Sequence, residues 1–263
     1  MREFAYARPD SVAAAAAAFA AGGEAAFIAG GHTLLPAMKS RLRQPDTIID
    51  LAAIPGLSGV TRQGDMLWIG ALTTHAAVAT DATVAAAIPG LAALAMLIGD
   101  PQARNRGTLG GVLANNDPSA DYPAALLALG GTVETDRGSH DAADYFQGMF
   151  ATALADGEII TRVGFAVPRR SAYAKFRHPA SRYAVVGIYV ADTAAGVRVA
   201  VTGAGPGVVR WPEAEAALTV SFAPAAAHGL VLGGDLNTDI HASAEYRAHL
   251  AGVMLERAVA AAV

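Results

Sequence analysis

Phe27-Ile28-Ala29-Gly30-Gly31-His32-Thr33-Leu34-Leu35-Pro36 reads as an apolar strand that runs into two glycines and then into a helix. Glycine has no Cβ, so it permits positive φ and close backbone approach. A helix start leaves unpaired N–H groups and carries partial positive charge. Together these features can seat an anion such as a pyrophosphate. Lys39, Arg41 and Arg43 add positive charge nearby. Pro36 falls in the first turn if Thr33 is the cap, and a missing N–H costs little there. A tight turn with an ordinary N-cap carries the same pattern. The spacing is neither G-x-G-x-x-G nor a Walker loop. His32 has no second histidine at metal-ligand spacing and reads as a hydrogen-bonding turn residue.

Around this loop, Ala26–Ala29 and Thr47–Leu51 read as strands flanking a helix from about Leu34 to Leu42, a compact βαβ unit. Upstream, Phe4–Tyr6 is a strand candidate and Ser11–Ala21 an alanine-rich helix that ends at Gly22-Gly23. Downstream come a hairpin around Gln63-Gly64-Asp65 and helices near His75–Ala79 and Leu91–Ile98. Gly99–Asp121 shows no clear periodicity and reads as a long loop of the kind that tends to be functional. The helix Tyr122–Leu129, a short helix Asp144–Phe150 and a strand Glu158–Val167 follow. Beyond Pro168-Arg169-Arg170 the expectation is two antiparallel strands, Ala184–Ala191 and Val197–Thr202. A helix Pro212–Leu218 and a long helix Ala242–Ala262 come after them.

Within the long stretch, Thr108-Leu109-Gly110-Gly111 repeats the glycine pair, and Asn115, Asn116 and Asp121 offer short polar groups suited to sugar-chain hydroxyls. Asp121 precedes Tyr122-Pro123 and reads equally as a plain N-cap. Arg104 and Arg106 either face phosphate or pair with Asp100 and Asp117. Gly203-Ala204-Gly205-Pro206-Gly207 fails the dinucleotide fingerprint, because Pro206 intrudes and no helix starts there, and it reads as a turn.

Composition narrows the function classes. The chain has 263 residues, 53% of them apolar and 16% charged, enough to bury a core. A net charge of −4 supplies no basic field for nucleic acid or an anionic membrane. With no cysteine it can carry no disulfide, thiol nucleophile or thiolate-held iron–sulfur cluster. The uncharged run Ala82–Gly99 is split by Pro89-Gly90 and is not read as a membrane span, and the first ten residues lack the apolar stretch of a secretory signal. The expected location is cytoplasmic.

Three ordered segments carry a resemblance: AGGHTLLP with its following K-x-R-x-x-x-P and IIDL, then GDPQARNRGTLGGVLANNDPSADYP, then KFRHPASRYA from Lys175 to Ala184. Over nearly the whole length the chain resembles the flavin-binding medium subunit of the molybdenum hydroxylases. The aerobic carbon monoxide dehydrogenase type is the nearer likeness, and the FAD domain of xanthine dehydrogenase the more distant. The resemblance implies an α+β fold. It comprises a vanillyl-alcohol-oxidase (PCMH)-type FAD-binding domain of two α/β subdomains and a smaller C-terminal domain with a three-stranded antiparallel sheet and helices. On that basis residues 1–170 form the FAD-binding domain, with subdomains of about 1–53 and 54–170, and 171–263 form the second domain.

The resemblance also implies the site. Ile28, Ala29, Gly30, Gly31, His32, Thr33 and Leu34 match a first loop that wraps the FAD pyrophosphate. Thr108, Gly110 and Gly111 match a second, Asn115 lies beside it, and Asp121 matches an acidic residue that binds a sugar-chain hydroxyl. Ile98 and Ile160 match apolar residues near the flavin ring, and Lys175 a ring-edge lysine. No catalytic acid or base and no metal ligand is expected on this chain. Molybdenum cofactor and [2Fe–2S] clusters are expected on a large and a small partner subunit, in a dimer of heterotrimers, with this subunit's FAD relaying electrons to a terminal acceptor. A stand-alone FAD oxidoreductase of the same fold is the alternative.

Overall fold

The computed structural model describes residues 1–263. The chain starts with β1 (Ala5–Ala7), α1 (Val12–Ala20), β2 (Ala25–Ile28), α2 (Leu34–Lys39) and β3 (Thr47–Asp50). The three strands pair in parallel in the order β1-β3-β2, with Ile28 opposite Asp50. Ser11 caps α1, its Oγ accepting from the Ala14 N–H at 3.2 Å. The connection leaves α1 through Gly22 and Gly23 at φ 105° and 79°. Helix α2 ends at Lys39, short of the expected Leu42, because Arg41 turns into the left-handed region at φ 60°. Ala15, Ile49, Leu51, Ile54, Leu57 and Ile159 form a small core beneath this sheet.

The middle region opens with the expected hairpin, β4 (Val60–Gln63) and β5 (Met66–Gly70). Six helices follow: α3 (His75–Thr80), α4 (Ala82–Ala87), α5 (Pro89–Met96), α6 (Pro101–Arg106), α7 (Leu109–Asn115) and α8 (Tyr122–Ala128). Then come β6 (Thr132–Thr135), β7 (Ser139–Asp141), α9 (Ala142–Tyr145), β8 (Phe146–Gly148), β9 (Ala151–Thr152) and β10 (Ile160–Ala166). One antiparallel sheet runs β4-β5-β10-β6-β7. Leu67, Ile69, Leu91, Leu94, Leu109 and Phe165 belong to the main core, packed between this sheet and the helices.

The structure departs from the sequence expectation at two places. The stretch 99–121 is not a structureless loop, since α6 and α7 lie within it. Each is too short to show a period of 3.6 residues, and each is started by its cap rather than by an apolar face. Asp100 Oδ1 accepts from the Ala103 N–H at 2.8 Å, and Thr108 Oγ1 accepts from the Gly111 N–H at 3.2 Å. The helix expected over Asp144–Phe150 stops at Tyr145, and the chain continues as the β8–β9 hairpin. Gly148 at φ 135° and Phe150 at φ 54° make the turn that a helix cannot contain.

The last region holds β11 (Arg170–Arg177), β12 (Ala184–Thr193), β13 (Gly196–Thr202) and β14 (Val209–Arg210), then α10 (Pro212–Val220), α11 (Pro224–Ala227) and α12 (Ala244–Ala261). Its antiparallel sheet runs β11-β12-β13-β14: three long strands, with a two-residue fourth at the edge. Strand β12 is buried on both faces. Val186, Ile188 and Val190 point toward the core under α10 and α12, while Tyr189 and Ala191 join the main core. The sheet is therefore shared between two cores, which ties the last region to the middle one. The glycine cluster 203–207 is a bend between β13 and β14, with Gly203 at φ 80°. No helix is long and apolar enough to cross a membrane.

Candidate functional site

Strand β2 delivers Gly30 and Gly31 to the carboxyl edge of the parallel sheet, immediately before α2. Gly31 sits at φ 75°, a conformation that glycine adopts without strain. Gly30 is glycine for a different reason: a Cβ there would collide with the Arg106 carbonyl and lie 2.9 Å from Gly107 Cα. The two glycine loops therefore touch where Gly30 meets the Arg106–Gly107 peptide. His32 adds a second tie, its Nε2 lying 3.3 Å from the Gln102 carbonyl. The backbone N–H groups of Gly30, Gly31, His32 and Thr33 donate to no acceptor in the chain. Thr33 makes no side-chain cap, and His32 and Thr33 are exposed. A left-handed glycine with successive unpaired amides fits a diphosphate oxygen.

The second loop is built differently. Its amides are engaged: Leu109 N–H donates to Thr73 O at 3.1 Å and Gly110 N–H to Ala71 O at 2.8 Å, while Gly111 N–H goes to the Thr108 cap. A Cβ on Gly110 would lie 2.7 Å from Ala71 Cβ, so this glycine serves close packing against the β5–α3 connection. Thr108 also bridges to Thr74. Gly111 and Asn115 are half-buried, and the Asn115 side chain makes no hydrogen bond within the chain. Arg104 pairs with neither Asp100 nor Asp117; its Nη1 donates to the Ile98 and Gly99 carbonyls at 3.0 and 3.2 Å. Ile98 is half-buried just before this turn.

Asp121 does not cap α8, for its own backbone is already helical and its carboxylate turns toward β11. Tyr173 and Lys175 stand two residues apart on β11 and so share one face. Lys175 Nζ lies 3.0 and 2.9 Å from Asp121 Oδ1 and Oδ2, and the Tyr173 hydroxyl donates to Oδ1. Gly187, opposite Lys175 in the register, leaves the space that the Tyr173 hydroxyl fills. The pair is buried: 1% of the Lys175 side chain and 6% of the Asp121 side chain are exposed. Burial pushes the Asp121 carboxyl up, while the Lys175 ammonium and the Tyr173 hydroxyl pull it back toward ionisation. Burial and the neighbouring Asp121 charge push the Tyr173 phenol well up, so it stays a donor.

The structure thus brings Ile28 to Leu34 and Thr108 to Gly111 together, and joins Asp121 to Lys175. Ile160 is buried in the main core at a β-bulge, opposite Thr135. Three residues escaped the sequence reading. Gly107 has no pattern of its own in the sequence, yet its peptide with Arg106 is the contact between the loops. Tyr173 carried no signal, because its partner lies 52 residues away. His75 read as a helix start; it is 3% exposed, its N–H donates to Gly107 O at 3.0 Å, and its ring packs against Tyr122.

Comparison with known proteins agrees with this architecture. The family of FAD binding domains in molybdopterin dehydrogenases matches residues 2–169, and the CO dehydrogenase flavoprotein C-terminal domain matches 171–262. The nicotine 6-hydroxylase medium subunit of Paenarthrobacter nicotinovorans is 37% identical, over 97% of this chain and 95% of the relative. The carbon monoxide dehydrogenase medium chain of Afipia carboxidovorans is also 37% identical, over the same shares. Among solved structures, carbon monoxide dehydrogenase from Hydrogenophaga pseudoflava superposes with a TM-score of 0.90 at 33% identity, covering 99% of this chain and 97% of that one. Quinoline 2-oxidoreductase from Pseudomonas putida 86 gives a TM-score of 0.88 at 29% identity, covering 98% and 96%. The chain belongs to the family of FAD-binding medium subunits of molybdenum-containing dehydrogenases, and is an oxidoreductase subunit of that class.

Proposed function

We propose that this chain relays electrons from [2Fe–2S] clusters on a small partner subunit, through bound FAD, to a terminal acceptor. A large partner subunit would hold the molybdenum cofactor and oxidise the substrate, the whole forming a dimer of heterotrimers. Residues 1–170 would serve as the FAD-binding domain, in subdomains of about 1–53 and 54–170, with 171–263 as the second domain. The observation that carries the FAD assignment is the row of unpaired amides from Gly30 to Thr33, backed by Gly107.

Bound FAD supplies the redox chemistry, since a flavin takes up electrons singly and releases them in pairs. The chain's own part is to bind and orient. Ile28, Ala29, Gly30, Gly31, His32, Thr33 and Leu34 wrap the diphosphate, the amides from Gly30 to Thr33 giving it hydrogen bonds. Thr108, Gly110 and Gly111 form the rigid backing, and Asn115 offers a free amide to a sugar hydroxyl. Asp121 accepts from a ribityl hydroxyl with the lone pair that its partners leave open. Lys175 acts through Asp121, keeping that carboxylate ionised and aimed. Ile98 and Ile160 supply apolar contact to the ring. The complete absence of cysteine fits clusters held by another chain.

Purification of the assembled complex from its native source tests the reading. The expected result is flavin, iron–sulfur and molybdenum in one particle with this chain. A homogeneous complex that contains this chain and lacks flavin would overturn it.

A further inference from the structure

His75 lies at the junction of the two glycine loops. It opens α3, and its imidazole edge rests on Gly107: a Cβ on that glycine would lie 2.5 Å from His75 Nε2 and 2.8 Å from Cδ2. The peptide that joins Arg106 to Gly107 is in turn what Gly30 rests on. The imidazole, the second loop and the first loop are three layers in direct contact. The ring also packs on Tyr122, with centroids 5.4 Å apart. His75 Nδ1 and the Tyr122 hydroxyl are both buried, and neither has a partner. The charged and titratable groups that face the ring are Arg104 from α6, His32 from the first loop and Tyr122 from α8. None of them is a carboxylate.

We propose that His75 is a positioning residue for the diphosphate seat: as an uncharged imidazole it sets the height of Gly107, and so the spacing at which Gly30 to Thr33 present their amides. This rests on the FAD reading above, and adds to it the residue that governs the seat and the pH range in which it holds. A proton on the ring would place a cation in a buried site that already faces a guanidinium. Burial first, then His32 and Arg104, push the imidazole down to about 4. A group lowered in the closed state holds fully above its ordinary value near 6.5, and its hold is lost as pH falls toward about 4. If opening of the loops exposes the ring, opening is favoured about 30-fold more at pH 5 than at pH 7.5.

The test uses the assembled complex. Flavin release is followed by fluorescence at pH 7.5 and pH 5, with far-UV circular dichroism recorded in parallel. The wild type is expected to release flavin about 30-fold faster at pH 5 while its dichroism is unchanged. His75→Phe keeps a ring but takes no proton, so its two rates should agree within about threefold. His75→Ala, which leaves a void beside Gly107, should release faster than wild type at both pH values. A His75→Phe variant with the wild-type pH dependence, or a His75→Ala variant that holds flavin as wild type does, overturns the proposal. If the variants do not assemble, the wild type decides alone, and a flat profile between the two pH values overturns it. A wild-type complex without flavin at pH 7.5 overturns the FAD reading itself, whereas flavin held regardless of residue 75 overturns only this inference.

Discussion

Gly30 has no room for a side chain, because the Arg106 carbonyl occupies the place of its Cβ. Gly30→Ala is therefore expected to force the loops apart, destabilising the chain by about 2 kcal/mol, in the range of overpacked interiors. Flavin content should fall with it; urea denaturation and absorbance at the flavin band measure the two losses. The Asp121–Lys175 pair makes a different demand. Lys175→Met would leave a buried carboxylate without its cation, at a cost of about 3–5 kcal/mol. Asp121→Asn combined with Lys175→Met removes the stranded charge while keeping an acceptor for Tyr173, so the double variant should be more stable than Lys175→Met alone. A denaturation series over the two single variants and the double variant checks this, and additive losses would contradict it.

Among the elements, α7 and the β8–β9 hairpin are joined by one residue. Asn116 ends α7 in the left-handed region at φ 44°, which asparagine tolerates better than most residues. Its Nδ2 donates to the Gly148 and Ala151 carbonyls at 2.9 and 2.7 Å, and its own carbonyl accepts from the Phe150 N–H at 3.1 Å. Asn116→Ala should cost about 3 kcal/mol, from two stranded carbonyls and a strained cap. Asn116→Gly should recover only the backbone part, about 1 kcal/mol. Hydrogen exchange of the Phe150 amide reads the hairpin directly, and wild-type protection in Asn116→Ala would exclude the clamp. The sequence showed the polar pair Asn115-Asn116. It did not show which amide turns inward, since that depends on carbonyls more than 30 residues away.

For the whole molecule, the acid side should be the weak side. Burial works against the Glu158 carboxylate, but hydrogen bonds from Thr135, His140 and the Ala155 N–H outweigh it and hold the group below its usual range. Arg169 above all holds the Asp192 carboxyl down as well. His75 is lowered to about 4. Each lowered group favours the folded state above its unfolded value and gives that up as pH falls through its folded value. His75 acts first, between pH 6.5 and about 4, and its full contribution is about 3 kcal/mol. The carboxylates follow below that range. The urea midpoint should drop from pH 7.5 to pH 4.5, and His75→Phe should shrink the drop. An unchanged difference would show that the buried imidazole is not the group responsible.

Local order was legible where one residue type or one period suffices. Apolar runs marked β2, β3, β10, β12 and β13, glycines and prolines marked the turns between them, and the loop motifs pointed to the family. Those signals act over a few residues, through backbone propensity and side-chain alternation, so any stretch carries them alone. Strand β11 has no visible pattern because Arg170, Lys175 and Arg177 interrupt its apolar residues; Arg170 finds its carboxylate on β12 and Lys175 is buried against Asp121. The contact of Gly30 with the Arg106–Gly107 peptide, the imidazole beneath it and the closed Asp121–Lys175 pair depend on chain segments that folding brings together from about 30 to 80 positions apart. Excluded volume and desolvation act between those segments only once the cores have formed, and no local pattern encodes them.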